Sequence, residues 1–202
     1  MSTDFLGEPA ESAAAQQLYD NNLTQVGYVM NVSRLWAHQP ALHQALFGVI
    51  GDAARSLQLD VRRRGILIAA CASTAGDSYC SLAWGAKLAA ASDAGTAAAV
   101  LRGEDAGLSP AERALARWAR TVARHPNATT AADVQELRDA GFDDAEILAI
   151  TVFVALRLAF STVNDALGAR PDTELRALAP ADVLDAVPFG RPIADPEHPD
   201  GS

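Results

Sequence analysis

Long apolar runs are what this chain most plainly lacks. No segment holds about 18 consecutive apolar residues, so no transmembrane helix and no membrane partner are expected. Sustained alternation is missing too. Val and Ile occur, but never in an alternating run bounded by turns, which argues against a β-rich fold. Basic residues are outnumbered: 16 Lys and Arg stand against 25 Asp and Glu, for a formal net charge of -9. Such a chain repels phosphate backbones, so no nucleic-acid partner is expected. Lysine is nearly absent; Lys87 stands alone beside fifteen arginines, a bias that reads as genome composition.

Cysteine is scarce as well. Cys71 and Cys80 are the only two, and in a reducing compartment a structural disulfide is not expected. The first residues, Met1-Ser2-Thr3-Asp4-Phe5-Leu6-Gly7-Glu8, have neither the basic start nor the apolar core of a secretory signal. The expected location is cytoplasmic. No glycine-rich phosphate loop is present, and no cofactor is expected. The histidines do not fall at metal-ligand spacing with acidic partners. His38 and His43 are five apart, His125 precedes Pro126 in a loop, and His198 lies in the tail. No metal site is expected.

What the chain does have is alanine and helix punctuation. Half of its 202 residues are hydrophobic, and Ala, Leu, Arg and Glu favour helix. The length suits one all-α domain over residues 1–187 with a Pro-rich tail over 188–202. That tail is expected to be irregular, draped over a neighbouring subunit or disordered. A first helix reads from about Glu11 to Asn22 and stops near Gly27. Pro40 opens the next, whose apolar positions Leu42, Ala45, Leu46, Val49 and Ile50 recur at helical spacing. Asp60 caps a third, from Val61 to about Ser73, broken by Gly76. Asp77 caps a fourth, Ser78 to about Ser92. Ser109-Pro110-Ala111-Glu112 is a capping box whose helix runs to about Arg124. Thr130 starts a short helix ending at Gly141. Asp143-Asp144-Ala145-Glu146 opens a long apolar helix to about Leu167, and a short helix follows Pro180.

Three parts of the chain carry a family likeness. The first is Gly27-Tyr28-Val29-Met30-Asn31-Val32 with Trp36 and Pro40. The second is Arg63-Arg64-Gly65-Ile66-Leu67-Ile68 leading into Gly76-Asp77-Ser78-Tyr79-Cys80. The third joins Leu108-Ser109-Pro110-Ala111-Glu112-Arg113-Ala114-Leu115 to Gly141-Phe142-Asp143-Asp144-Ala145-Glu146-Ile147, Asn164 and Leu167-Gly168. In order and spacing the layout resembles the alkyl hydroperoxidase D-like / carboxymuconolactone decarboxylase superfamily, particularly its longer peroxidase-related members. The resemblance implies an all-α helical bundle built around an active-site helical hairpin, and a homo-oligomer. It also implies thiol-dependent hydroperoxide reduction on a small-molecule substrate.

In redox-active members a C-x-x-C motif starts the active-site helix, a His follows four residues later, and a Glu precedes by twelve. Carried over residue by residue, the first Cys falls on Asp77, the second on Cys80, the His on Trp84 and the Glu on Gly65. Only Cys80 remains, so the implied catalyst is a single cysteine resolved by an external thiol reductant. Two alternatives stand beside it: an enzyme of the same fold that decarboxylates or isomerises a small organic acid, and a non-catalytic binding protein.

The residues themselves bear on that choice. With Asp77 as cap, Cys80 lies at about N3, where free N–H groups and the helix dipole favour a thiolate; the Asp77 carboxylate opposes it. Cys80 also reads as a small buried hydrophobe. Asp77 reads as a cap or as a polar group facing a pocket. Trp84, one turn on, fills space or forms a stacking platform. Lys87, a further turn along, reads as a solvated or interface charge. Arg157 sits inside the apolar Val152–Phe160 run and must be paired or reach water. It shares a stripe with Ile150, Phe153, Phe160 and Asn164, so Arg157 and Asn164 face one cavity, or Arg157 makes a salt bridge within or between subunits. Arg157 then reads as either an ion-pair partner or an anchor for an anionic ligand.

Overall fold

The computed structural model describes residues 4–195, and all of their regular structure is helical. His198 and the prolines Pro196 and Pro199 lie outside the described residues. Among the described residues eleven α-helices follow one another, and most begin where a side chain satisfies a free backbone N–H. Ser12 caps α1 (Ala13–Val26), and Gly27 ends it in the left-handed region at φ 86°. Asp60 caps α4 (Val61–Ala75), and Asp77 caps α5 (Ser78–Ala91). Ser109 and Glu112 form the expected capping box on α7 (Pro110–Arg124). Thr130 with Asp133 does the same for α8 (Ala131–Asp139), and Asp143 with Glu146 for α9 (Asp144–Ala166).

Three further helices carry no clear signal in the sequence. Between α1 and α3 (Pro40–Ser56) lies α2 (Asn31–Trp36), six residues with no capping side chain. Between α5 and α7 lies α6 (Ala94–Leu101), capped by Asp93 but so rich in alanine that periodicity cannot show. After α9 come α10 (Leu175–Leu178) and the expected α11 (Ala181–Asp185). His125-Pro126-Asn127, expected as a loop, contributes to a 3-10 turn at Pro126–Ala128.

The centre of the molecule is α4. Ile66, Leu67, Ile68, Ala69, Ala70, Cys71 and Ala72 are all at or below 1% exposure. Fully burying an aliphatic side chain contributes roughly 1.5–3 kcal/mol, so this run is a principal source of stability. Around it pack α5, α6, α7 and α9. The α4–α5 hairpin is tight because Gly65 lacks a side chain: a Cβ there would sit 3.0 Å from Leu88 Cβ and 3.4 Å from its Cα. Any side chain at this position requires Leu88 to give way by a few tenths of an ångström.

By length and composition α9 is apolar enough to cross a membrane. It packs here against α3, α4 and α7, with Arg157 and Asn164 on its buried face. The tail is not draped elsewhere over its described length. Residues 188–195 lie on their own chain: Ala194 N donates to Pro171 O at 2.8 Å, and Arg170 Nη2 to Ile193 O at 2.9 Å.

Candidate functional site

The site forms where the N-terminal turn of α5 meets the middle of α9. The Gly76 turn (φ 81°) reverses the chain after α4, and the Asp77 cap starts α5. Asp77 Oδ1 accepts the Cys80 N–H at 3.0 Å, which confirms the cap and puts Cys80 at N3. The N–H of Cys80 is therefore already used. Asp77 is at 0% exposure, and its Oδ2 is buried with no hydrogen-bond partner.

Arg157 reaches this turn from α9. Its Nη2 donates to Cys80 Sγ at 3.4 Å. Arg157 is 4% exposed, no carboxylate among the described residues pairs with it, and its Nε is unpartnered. In place of an acid, three rings surround the guanidinium: Phe160 at 5.2 Å, Trp84 at 5.8 Å and Phe47 at 5.9 Å. Cation–π contacts of this kind contribute roughly 0.5–2 kcal/mol each when desolvated. They soften the cost of the buried charge without neutralising it. The salt-bridge reading of Arg157 thus does not hold within the chain.

The aromatic wall continues outward. Trp36 stacks on Phe160 at 5.5 Å, and His43 lies 4.4 Å from Phe47. Burial lowers the His43 pKa to about 4, so the ring is neutral and belongs to the wall. Asn164, at 0% exposure, accepts the Trp36 Nε1–H at 2.8 Å on its Oδ1; its Nδ2 has no partner. Trp84 is half-buried, and Lys87 Nζ stands 4.7 Å over its ring.

Electrostatics at the thiol are set by these neighbours. Burial pushes the Cys80 thiol well above its ordinary value; the Asp77 charge adds to this, and Arg157 pulls the other way. The resting thiol is protonated. Cys71, on α4, is pushed up to about 12 by burial, and its Sγ donates to Ile68 O at 3.4 Å. Both cysteines are free, so Cys71 is an inert core residue and no resolving partner.

A strap closes the end of the hairpin. Ser78 Oγ donates to Arg191 O at 2.7 Å, and Arg191 Nη2 to Asp165 O at 2.9 Å. A Cβ on Gly190 (φ 71°) would lie 2.6 Å from Gly76 O, so only glycine lets the strap approach this closely. Beside the thiol, Tyr79 donates to the buried Asp172, which also accepts Asn31 N at 2.7 Å. Burial raises Asp172 to about 6. This cluster ties α2, α5 and the segment after α9 together and holds the first turn of α5 in place.

All five residues read from the sequence as site candidates lie in this region, and contacts join four of them: Asp77 and Arg157 to Cys80, and Trp84 to Arg157. Asn164 joins the wall through Trp36, one turn from Phe160. Phe47, His43, Ser161 and the strap were not anticipated. Phe47 and His43 sit on an ordinary amphipathic helix, and nothing in their spacing separates a site wall from a core face. Ser161, beside the noted stripe of α9, is buried and acts to lower the Cys80 thiol pKa against the effect of burial.

No protein-family model and no curated protein matches the chain. Solved structures do. An uncharacterized peroxidase-related protein from Silicibacter sp. TM1040 superposes with a TM-score of 0.76 at 21% identity, over 87% of this chain and 95% of that one. The alkylhydroperoxidase AhpD core protein from Ralstonia eutropha JMP134, also peroxidase-related and uncharacterized, gives 0.70 at 21% identity over the same shares. A cysteine-to-alanine variant of the debrominase Bmp8, in complex with 2,3,4-tribromopyrrole, gives 0.71 at 17% identity over 93% of this chain and all of that one. The fold is that of alkyl hydroperoxidase D.

Proposed function

We propose that this alkyl hydroperoxidase D-like chain is a one-cysteine thiol oxidoreductase that reduces a hydroperoxide at Cys80. The observation that carries the reading is the Arg157 guanidinium at 3.4 Å from Cys80 Sγ, buried and without a carboxylate partner. A cation so placed favours the thiolate over the thiol and receives negative charge as sulfur reacts. Sulfur attacks the outer peroxide oxygen, the O–O bond breaks, and an alcohol leaves, with Cys80 as sulfenic acid. Two equivalents of an external thiol return the cysteine, with water and a disulfide as products. The external reductant is needed because Asp77 occupies the place of a resolving thiol and Cys71 is locked in the core.

The test is hydroperoxide consumption with a small dithiol as reductant. Cys80→Ser reduces consumption to the buffer rate, and Cys71→Ala leaves it in place. Activity indifferent to Cys80 rejects the reading.

The aromatic wall favours a second reading. A flat ring suits stacking on the aromatic wall of Trp36, Phe47, Trp84 and Phe160, and the debrominase with tribromopyrrole shares the fold. Here the carbon–halogen bond would break as the Cys80 thiolate takes the halogen, the ring carbon would take a proton from solvent, and two equivalents of external thiol would return the cysteine with halide and a disulfide as products. Release of bromide from a brominated pyrrole, without peroxide consumption, selects this reading.

A further inference from the structure

Two cations stand over Trp84, and no acid answers them. Lys87 Nζ is 4.7 Å from the centre of the ring and the Arg157 guanidinium 5.8 Å. None of the ion pairs among the described residues uses Lys87 or Arg157. Lys87, the only lysine of the chain, is exposed; Arg157 is 4% exposed, with Nε unpartnered. The two charges repel. Crowding of the ammonium by the protein and the Arg157 charge both lower the Lys87 pKa, with Cys80 opposing. The chain as a whole carries a net charge of -9 and repels anions, so this is a local positive patch on a negative molecule.

Exposure shows the side from which a molecule approaches. Asp77 and Cys80 are buried, whereas Trp84, Phe47, Trp36 and His43 are half-buried and Lys87 reaches solvent. His43 is neutral and adds no charge there. Cys80, Trp84 and Lys87 follow one another on one face of α5, at i, i+4 and i+7. At about 1.5 Å per residue, the helix separates Cys80 from Lys87 by roughly 10 Å along its axis. Asp77 lies at the other end of this row, where its charge acts against a second negative charge at Cys80. An acidic group is thus repelled from the Asp77 end and attracted to the Lys87 end.

We propose that Cys80 acts on an organic acid whose carboxylate pairs with Lys87 and whose apolar body lies on the rings of Trp84 and Phe47. Its reacting group points inward to the thiol. This rests on Cys80 being the reacting thiol, and it names the class of molecule that the sulfur takes. Burial of apolar surface against the rings supplies affinity, and the ammonium selects for charge. Arg157 does not touch the carboxylate. Its buried charge adds to the potential that draws the acid in, while Nη2 stays on Sγ. An acid as small as acetate covers no ring and cannot reach from Lys87 to the thiol.

The test is isothermal titration calorimetry with three probes. They are 2-naphthoate, the neutral 2-naphthalenemethanol of similar shape, and acetate. Naphthoate is expected to bind about fivefold or more tighter than the alcohol at low salt, and to lose that margin as salt rises. Acetate is expected not to displace it. Lys87→Met keeps an unbranched stem on an exposed helix position, so the fold is retained. This variant is expected to bring naphthoate down to the affinity of the alcohol and to leave the alcohol unchanged. Lys87→Arg is expected to restore the margin. Naphthoate binding indifferent to Lys87→Met, an alcohol that binds as tightly as the acid, displacement by equimolar acetate, or no naphthoate binding overturns the proposal. No peroxide is used, so a chain that shows this binding pattern yet consumes no hydroperoxide rejects the peroxidase reading alone.

Discussion

Two buried arginines divide this molecule. Arg120, on α7, is 8% exposed; Arg157, on α9, is 4% exposed. Arg120 donates to Asp105 Oδ1 at 2.7 Å, to Glu104 O at 2.8 Å and to Val100 O at 3.3 Å. Arg157 has one acceptor, a thiol sulfur, and three aromatic rings. Nearby on α7, Glu112 repeats the Arg120 pattern: it pairs with Arg62 at 2.6 Å and closes the capping box, and the Arg62 hydrogen bond holds its carboxyl down near about 2. One region completes its charges and is structural. The other leaves a charge incomplete beside a nucleophile, which is the arrangement a reacting site needs and a stable core avoids.

Substitutions that treat the two arginines alike break or sharpen this contrast. The largest effect is expected at the structural one. Arg120→Met strands two carbonyls and leaves Asp105 to Arg117 alone, and costs about 1–3 kcal/mol, read from urea unfolding. Arg157→Met removes an unpaired charge among rings and changes stability by about 1 kcal/mol or less, while Cys80 alkylation falls. Equal unfolding costs for the two would collapse the comparison.

The smallest effect concerns acid and base near the strap. Asp165 has its folded pKa raised to about 6 from 3.8, so its contribution to stability is full below about 3.8 and is lost as pH rises through about 6. Asp172 acts in the same direction. His43, lowered to about 4 from 6.5, acts oppositely: its contribution is present above 6.5 and is lost as pH falls through about 4. Asp165→Asn is therefore expected to shrink the drop in melting temperature between pH 5 and pH 7, measured by circular dichroism. A drop of unchanged size would show that Asp165 is not tied to folding.

Most helices that the sequence announces carry side-chain caps; α3 and α11, announced by their prolines, do not. Asp60, Asp77, Ser109, Thr130 and Asp143 each stand one residue before a helix, and each accepts the predicted N–H. The helices it hides have no cap, as α2, or no contrast between faces, as α6. The candidate site was legible along α5 because the resemblance lays its motif on Asp77, Cys80 and Trp84, and along α9 because Arg157 is out of place in an apolar helix. The wall from α3 was not, since Phe47 and His43 read like any core face. The strap was misread, because proline density says that a segment is irregular and says nothing about where it lies.

By itself the sequence determined the all-α class, the capped helices, and the Gly76 turn that presents Cys80 at the third position of α5. Those are matters of neighbouring residues, settled by hydrogen bonds across a single turn. Only the tertiary structure decided that Arg157, 77 residues away, meets Cys80 and no acid. It also decided that Leu88 closes the space beside Gly65, and that the strap covers Ser78. The physical reason is that charge neutrality and burial belong to the faces that meet when helices pack, and no window of the chain contains both faces.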